Sequence, residues 1–165
     1  MAVRPVLRLP ERVLKQRARD VGEGREDDLI ADLIETMNAS PACVGLAAPQ
    51  IGVSRRVIVV DVSAHPKTTV CHDLVVLVDP VVVDASGRDV GREGCMSVPD
   101  LTANVRRAGS LVVEGKGRDG SEVVIATEGF EARAFQHEID HLDGMLILDR
   151  VESLATDVFR RQTYK

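Results

Sequence analysis

The sequence predicts an α+β fold. Three observations carry that expectation: two stretches place apolar residues at helical spacing, several β-branched segments lie between them, and no repeat or linker divides the chain. At 165 residues the chain suits a single domain over residues 1–165, able to bury about 70% of the surface its unfolded form exposes.

In chain order, EDDLIADLIETMN (26–38) sets Leu29, Ile30, Leu33, Ile34 and Met37 three and four apart, with acids in the first turn, and predicts an amphipathic helix. After the small-residue stretch from Ala39 to Gln50, VIVVDV (57–62) reads as a strand, and LVVLVDPVVV (74–83) as one or two more, bent at Pro80. LVVEGKG (111–117) and EVVIAT (122–127) flank a turn signal at Arg118-Asp119-Gly120 and predict a hairpin. A second helix is expected from about Gly129 to Asp143, with Thr127 as its cap, Glu128 and Glu131 near its start and Gly144 at its end. On it Phe135, Ile139, Leu142 and Leu146 form an apolar stripe, while His137, Glu138 and His141 line another side. The final SLATDVFRRQTYK is read as a further short helix.

Composition excludes several functions. Lys and Arg total 21 against 26 Asp and Glu, for a net charge of -5, and the basic residues are scattered apart from Arg106-Arg107 and Arg160-Arg161, which argues against a nucleic-acid groove. With three Phe, one Tyr and no Trp, stacking platforms for bases are lacking too. The longest apolar stretch is broken by Asp79 and Pro80, so no membrane span or signal peptide is read, and a cytoplasmic location is expected. Cys43, Cys71 and Cys95 are odd in number, which disfavours a disulfide framework and leaves a metal ligand or a reactive thiol to be weighed. His65 and His72 fall near a loop and are expected to face solvent.

The segment FQHEIDHLDGMLI (135–147) contains HExxH, in which two histidines four apart on a helix aim at one ion with a glutamate beside it. Gly144 extends the match toward HExxHxxGxxH, but the third histidine is replaced by Ile147. A catalytic site of this kind uses three protein ligands and leaves one position for water. Downstream only Asp143, Asp149, Glu152 and Asp157 are available, whereas upstream REGCMSVPD (92–100) offers Cys95, ahead of a polar-rich loop with Pro99. Local reading leaves these alternatives open.

CVGLAAPQIG (43–52), EGCMS (93–97) and QHEIDH (136–141) occur in this order and together resemble the three motifs of peptide deformylases, over roughly residues 5–150. The resemblance implies mixed, mainly antiparallel sheets packed around the HExxH helix. It implies a hydrolase that removes formyl from the N-terminal formylmethionine of nascent polypeptides and releases formate. It makes Cys95, His137 and His141 the ligands of one divalent metal, Fe2+ by expectation, with Zn2+, Ni2+ or Co2+ able to take its place. Water on that ion would attack, with Glu138 as general acid and base, while the Gln50 amide and the Met96 backbone N–H meet the developing oxyanion. Val44, Gly45 and Glu93 fall on the substrate side, Phe130 and Ala134 line the methionine pocket, and a Glu93–Arg107 ion pair is expected to orient the Cys95 segment. Formylmethionyl peptides are the implied partners, with a transient ribosome encounter to which Arg160, Arg161 and Lys165 contribute, and with no membrane partner.

The sequence departs from the family pattern at Cys43, which replaces the first glycine of its motif, at Met96 in place of leucine, and at Asp79 where asparagine is frequent. Cys43 either narrows the groove or brings a second thiol to the metal. Competing readings are another metal-dependent amidase or peptidase, and a noncatalytic metal-binding relative.

Overall fold

The apolar face of the first helix, α1 (Asp27–Asn38), buries Leu29, Ile30, Leu33 and Met37, with Ile34 half-buried beside them. This computed structural model describes residues 2–161. Next come β1 (Gly45–Ala47), a 3-10 turn over Ala48–Ile51, β2 (Val57–Val60), whose four residues are all buried, and β3 (Val75–Ser86). Strand β3 continues past Pro80 because a register shift between Val78 and Val81 absorbs the proline. Asp79 there has φ +50, and its carboxylate accepts the backbone N–H groups of Val21 and Gly22, both at 2.8 Å, which holds a non-glycine residue in the left-handed region.

β6 (Ser110–Lys116) and β7 (Glu122–Glu128) form the expected hairpin and complete a five-stranded antiparallel sheet ordered β1-β2-β3-β6-β7. The segment read as a polar-rich loop after Cys95 is instead a second hairpin, β4 (Asp89–Cys95) and β5 (Val98–Arg107), joined by Met96 and Ser97. Gly91, Gly94 and Pro99 weaken its local strand signal. A register shift after Gly94 leaves Pro99 outside the ladder, so its missing N–H costs no bond. The tail also differs from expectation. Val158–Arg160 forms β8 against β5, because Val158 and Phe159 find the open edge of that hairpin; residues 162–165 of the expected helix lie outside the described residues.

The HExxH helix, α2, spans Gly129–Leu142. Thr127 does not cap it: the N-cap position is Glu128, and the Thr127 hydroxyl donates to the Glu131 side chain at 2.8 Å. Phe135, Ile139 and Leu142 pack on β2, β3 and β6 as the periodicity requires. Leu146 lies beyond the helix end and joins Leu14, Val98, Val105 and Ile147 in a separate cluster beneath the β4–β5 hairpin. A short helix, α3 (Ile147–Arg150), begins there, and it contains the residue that stands where a third histidine would fall. α2 is therefore held between the large sheet and the small one. No helix among the described residues is long and apolar enough to cross a membrane.

Gly144 ends α2 at φ +74, and a Cβ there would meet the Lys15 backbone carbonyl at 2.7 Å. Gly144→Ala is expected to cost about 1–3 kcal/mol, read as a lower denaturant midpoint with unchanged slope.

Candidate active site

Cys95 ends β4 at the turn of the hairpin, and the one-turn spacing on α2 presents His137 and His141 to it. One donor atom from each of the three lies within 4.8 Å of the others, and Cys95 Sγ is 3.3 Å from His141 Nε2. The third donor left open by local reading is thus placed by the β4–β5 hairpin; the four downstream acids take no part in this cluster.

His137 is oriented from behind. Its Nδ1–H donates to Glu93 Oε1 at 2.9 Å, which leaves Nε2 for the cluster. Glu93 also accepts two bonds from Arg107, at 3.0 and 2.9 Å, and one from Arg133 at 2.7 Å. Arg107 reaches on to Asp140, which is clamped in turn by Arg150 at 2.8 and 3.0 Å. Burial alone would raise the Glu93 carboxyl, but the His137 and Arg107 bonds hold it well below the usual carboxylate range. Glu93, placed on the substrate side by sequence, has both oxygens occupied in this way, so it supports His137 rather than offering a contact to a peptide.

The charge pattern fits a cation. Burial opposes ionisation of the Cys95 thiol, yet His141 and His137 pull its pKa well below the ordinary value. Burial likewise disfavours a charged His137, but Glu138, Cys95 and Glu93 push its pKa well above normal. A thiol and an imidazole that share a proton in this way are a donor set from which a divalent ion would displace that proton on binding. Glu138, 4% exposed and between the two histidines, has Oε1 buried without a hydrogen-bond partner. Burial raises its pKa against the pull of His137 and His141.

Gln50 stands at the same cluster. Its Oε1 accepts the Ala47 N–H at 3.0 Å, which turns Nε2 toward Ser97 Oγ at 3.2 Å and Cys95 Sγ at 3.8 Å. A cavity of about 340 Å³ opens beside these groups, with Val44, Gly45, Met96, Phe130 and Ala134 in its wall. Val44 is half-buried and packs on the main core as well as lining this cavity. Cys43 does not join the metal cluster. Its thiol donates to Gly45 O at 3.1 Å, and burial, then Glu138, push its pKa up to about 12.

Of the two remaining histidines, His72 is exposed as expected and His65 is half-buried. His65 stacks on Phe130 with centroids 4.1 Å apart, and the His72 ring bonds to the fully buried Glu131. Sequence reading also passed over Arg133, Asp140 and Arg150. Only Arg133 and Asp140 carried a local signal, since they sit four residues before and three after His137 on the same helix.

The sequence matches the polypeptide deformylase family over residues 3–157. The chain belongs to that family. It is 41% identical to a peptide deformylase of Thermodesulfovibrio yellowstonii, with 98% of this chain and 97% of the relative covered, and 42% identical to one of Halothermothrix orenii, with 96% and 99% covered. It also superposes on the Met-Ala-Ser-bound crystal structure of an Acinetobacter baumannii class I type b peptide deformylase, with a TM-score of 0.84, 35% identity and 91% and 99% of the two chains covered. The family's reaction is metal-dependent removal of an N-formyl group, and the enzyme is a hydrolase of this kind.

Two substitutions check the architecture of the family site in this chain. A Cβ on Gly45 would lie 2.7 Å from Glu138 Oε2, so Gly45→Ala is expected to displace the carboxylate and cut kcat about 10²-fold while thermal unfolding changes little. Arg107→Met leaves Glu93 to Arg133 and His137 and Asp140 to Arg150, and is expected to cost about 1–3 kcal/mol in denaturant unfolding.

Proposed function

We propose that Cys95, His137 and His141 hold one divalent ion, iron(II) in the native enzyme, and that Glu138, Gln50 and Met96 carry the deformylation of N-terminal formylmethionine. The observation that carries this reading is the convergence of a thiolate-favouring Cys95, two imidazoles, a buried Glu138 with an unpartnered oxygen and the Gln50 amide on one cavity. When bound, such an ion supplies Lewis acidity toward water and the formyl carbonyl. Zinc, nickel and cobalt suit the same donors.

Glu138 takes a proton from the water as its oxygen bonds to the formyl carbon. Negative charge then gathers on the former carbonyl oxygen, where Gln50 Nε2 and the Met96 N–H donate to it. Cleavage of the C–N bond follows as Glu138 returns the proton to the amine nitrogen, leaving formate and a free methionine terminus. Burial, by raising the Glu138 pKa, suits a group that must both take and give that proton. β1 is an edge strand, and Gly45 brings its backbone close to Glu138, so a peptide can lie along that edge. The Acinetobacter relative was crystallised with Met-Ala-Ser, which supports methionine as the residue received by Val44, Phe130 and Ala134.

Formylated termini belong to newly made chains, so a cytoplasmic location and a transient ribosome encounter form part of the proposal. Arg161 serves the site rather than a free tail, since its guanidinium covers Gly94; Lys165 lies outside the described residues.

Formate release from a formyl-Met peptide, with metal content measured anaerobically, tests the reading. Glu138→Ala is expected to lower kcat about 10²- to 10⁴-fold and Gln50→Ala about 10²- to 10³-fold, with metal content retained in both. Equal release of acetate from acetyl-Met peptides would assign a broader amidase instead.

A further inference from the structure

The enzyme carries a net charge of -5, yet the exposed charges around its cavity are positive. Two acids line that cavity, and neither faces a ligand from outside: Glu93 is saturated by Arg107, Arg133 and His137, and Glu138 is 4% exposed beside the metal cluster. Lys67 and Arg92 are both exposed lining residues, and neither forms an ion pair among the described residues.

Neutral partners hold the Arg92 guanidinium and the Lys67 backbone. Arg92, on β4, donates to Asn104 Oδ1 at 3.0 Å and Thr102 Oγ1 at 3.4 Å on β5, and its guanidinium lies 3.6 Å from the ring centroid of Phe159 on β8. Three strands therefore fix one charge, which reduces the ordering cost of using it. Lys67 comes from the loop after β2. Its backbone N–H donates to His65 Nδ1 at 3.1 Å, and His65 is stacked on Phe130 in the cavity wall. Arg133 and Arg161, both partly exposed, line the same cavity, so the accessible charge around it is positive throughout and favours an anionic visitor.

The cavity of about 340 Å³ exceeds a methionine side chain, and Lys67 and Arg92 share its lining with Val44, Phe130 and Ala134, so residues that follow a bound methionine come within reach of these cations. We propose that Lys67 and Arg92 bind carboxylate side chains in the residues after the methionine, making the enzyme selective for formylated termini followed by Asp or Glu. The inference rests on the deformylase reading. An RNA surface fits less well, because the cations line the substrate cavity and the exposed Arg106 outside it is already paired with Glu152.

The holoenzyme is assayed with formyl-Met peptides of equal length carrying Glu-Glu, Ser-Ser or Lys-Lys after the methionine. At low salt kcat/KM is expected to rank Glu above Ser above Lys, with steps of about three- to tenfold that lie in KM and shrink at about 0.5 M salt. The Glu-to-Ser ratio of kcat/KM should fall toward one in Lys67→Gln, whose side chain makes no structural bond, and in Arg92→Gln. Equal values for the three peptides, a preference for Lys-Lys, or a ratio indifferent to salt or to both substitutions overturns the proposal. Fluorescence anisotropy with labelled, unformylated Met-Glu-Glu and Met-Lys-Lys peptides reports on the rim separately. If no peptide releases formate, the deformylase reading fails while anisotropy still decides the rim, and an RNA hairpin that outcompetes the acidic peptide rejects it.

Discussion

The site depends on the buried ion pair between Arg107 and Glu93. It is the joint between the two halves of the metal cluster. Arg107 ends β5 and Glu93 lies on β4, so the pair closes the hairpin that delivers Cys95. Through Asp140 and His137 the same two residues grip α2, which delivers the histidines. Isolated, either charge would be very costly to bury. Here each finds more than one opposite partner, in the order Arg150, Asp140, Arg107, Glu93, then Arg133 and His137, and the series is most exposed at Arg150. A hydrophobic substitute of equal volume could pack as well, but it could neither fix the His137 tautomer nor set the distance between helix and hairpin.

That arrangement also sets the charge balance of the cluster. Glu93 and Glu138 both raise the proton affinity of His137, and the histidines lower that of Cys95. A proton shared between Cys95 and His137 balances the cluster, and a divalent ion held by the same atoms would displace it. The neighbouring Cys43 is driven the opposite way, by burial first and by Glu138 second, and stays a thiol. Two cysteines a short distance apart thus acquire different chemistry from their surroundings alone.

What the residues revealed before the fold was known follows the range of each interaction. α1, the β6–β7 hairpin and α2 were legible because their periods and turn residues are local. His137, Glu138 and His141 were legible through motif spacing, Cys95 and Gln50 only through resemblance to the family, and the structure brings all five together. The β4–β5 hairpin was not, since Gly91, Gly94 and Pro99 suppress strand propensity and the pairing is supplied by tertiary contacts. Glu93's true partners were only half legible: Arg107 was anticipated, but Arg133 lies forty residues away and Arg150 acts through Asp140. β8 was hidden for the same reason, because its order comes from the edge of β5 and not from its own three residues.

At Cys43, where the resemblance leads one to expect glycine, the geometry shows what the thiol does. Val44 O accepts Asp61 N–H at 2.9 Å on the β2 side of β1, so alternation turns the next carbonyl, that of Gly45, to the open edge. The Cys43 thiol donates to this carbonyl at 3.1 Å. A thiol is a weak donor, and an amide N–H from a peptide laid along β1 makes the stronger bond, so exchange favours the peptide. Because burial keeps Cys43 protonated, its side chain remains a displaceable donor rather than an anion that would repel Glu138 and compete with Cys95. Glycine at 43 would leave that edge carbonyl to water; cysteine occupies it with a bond weak enough to yield to substrate.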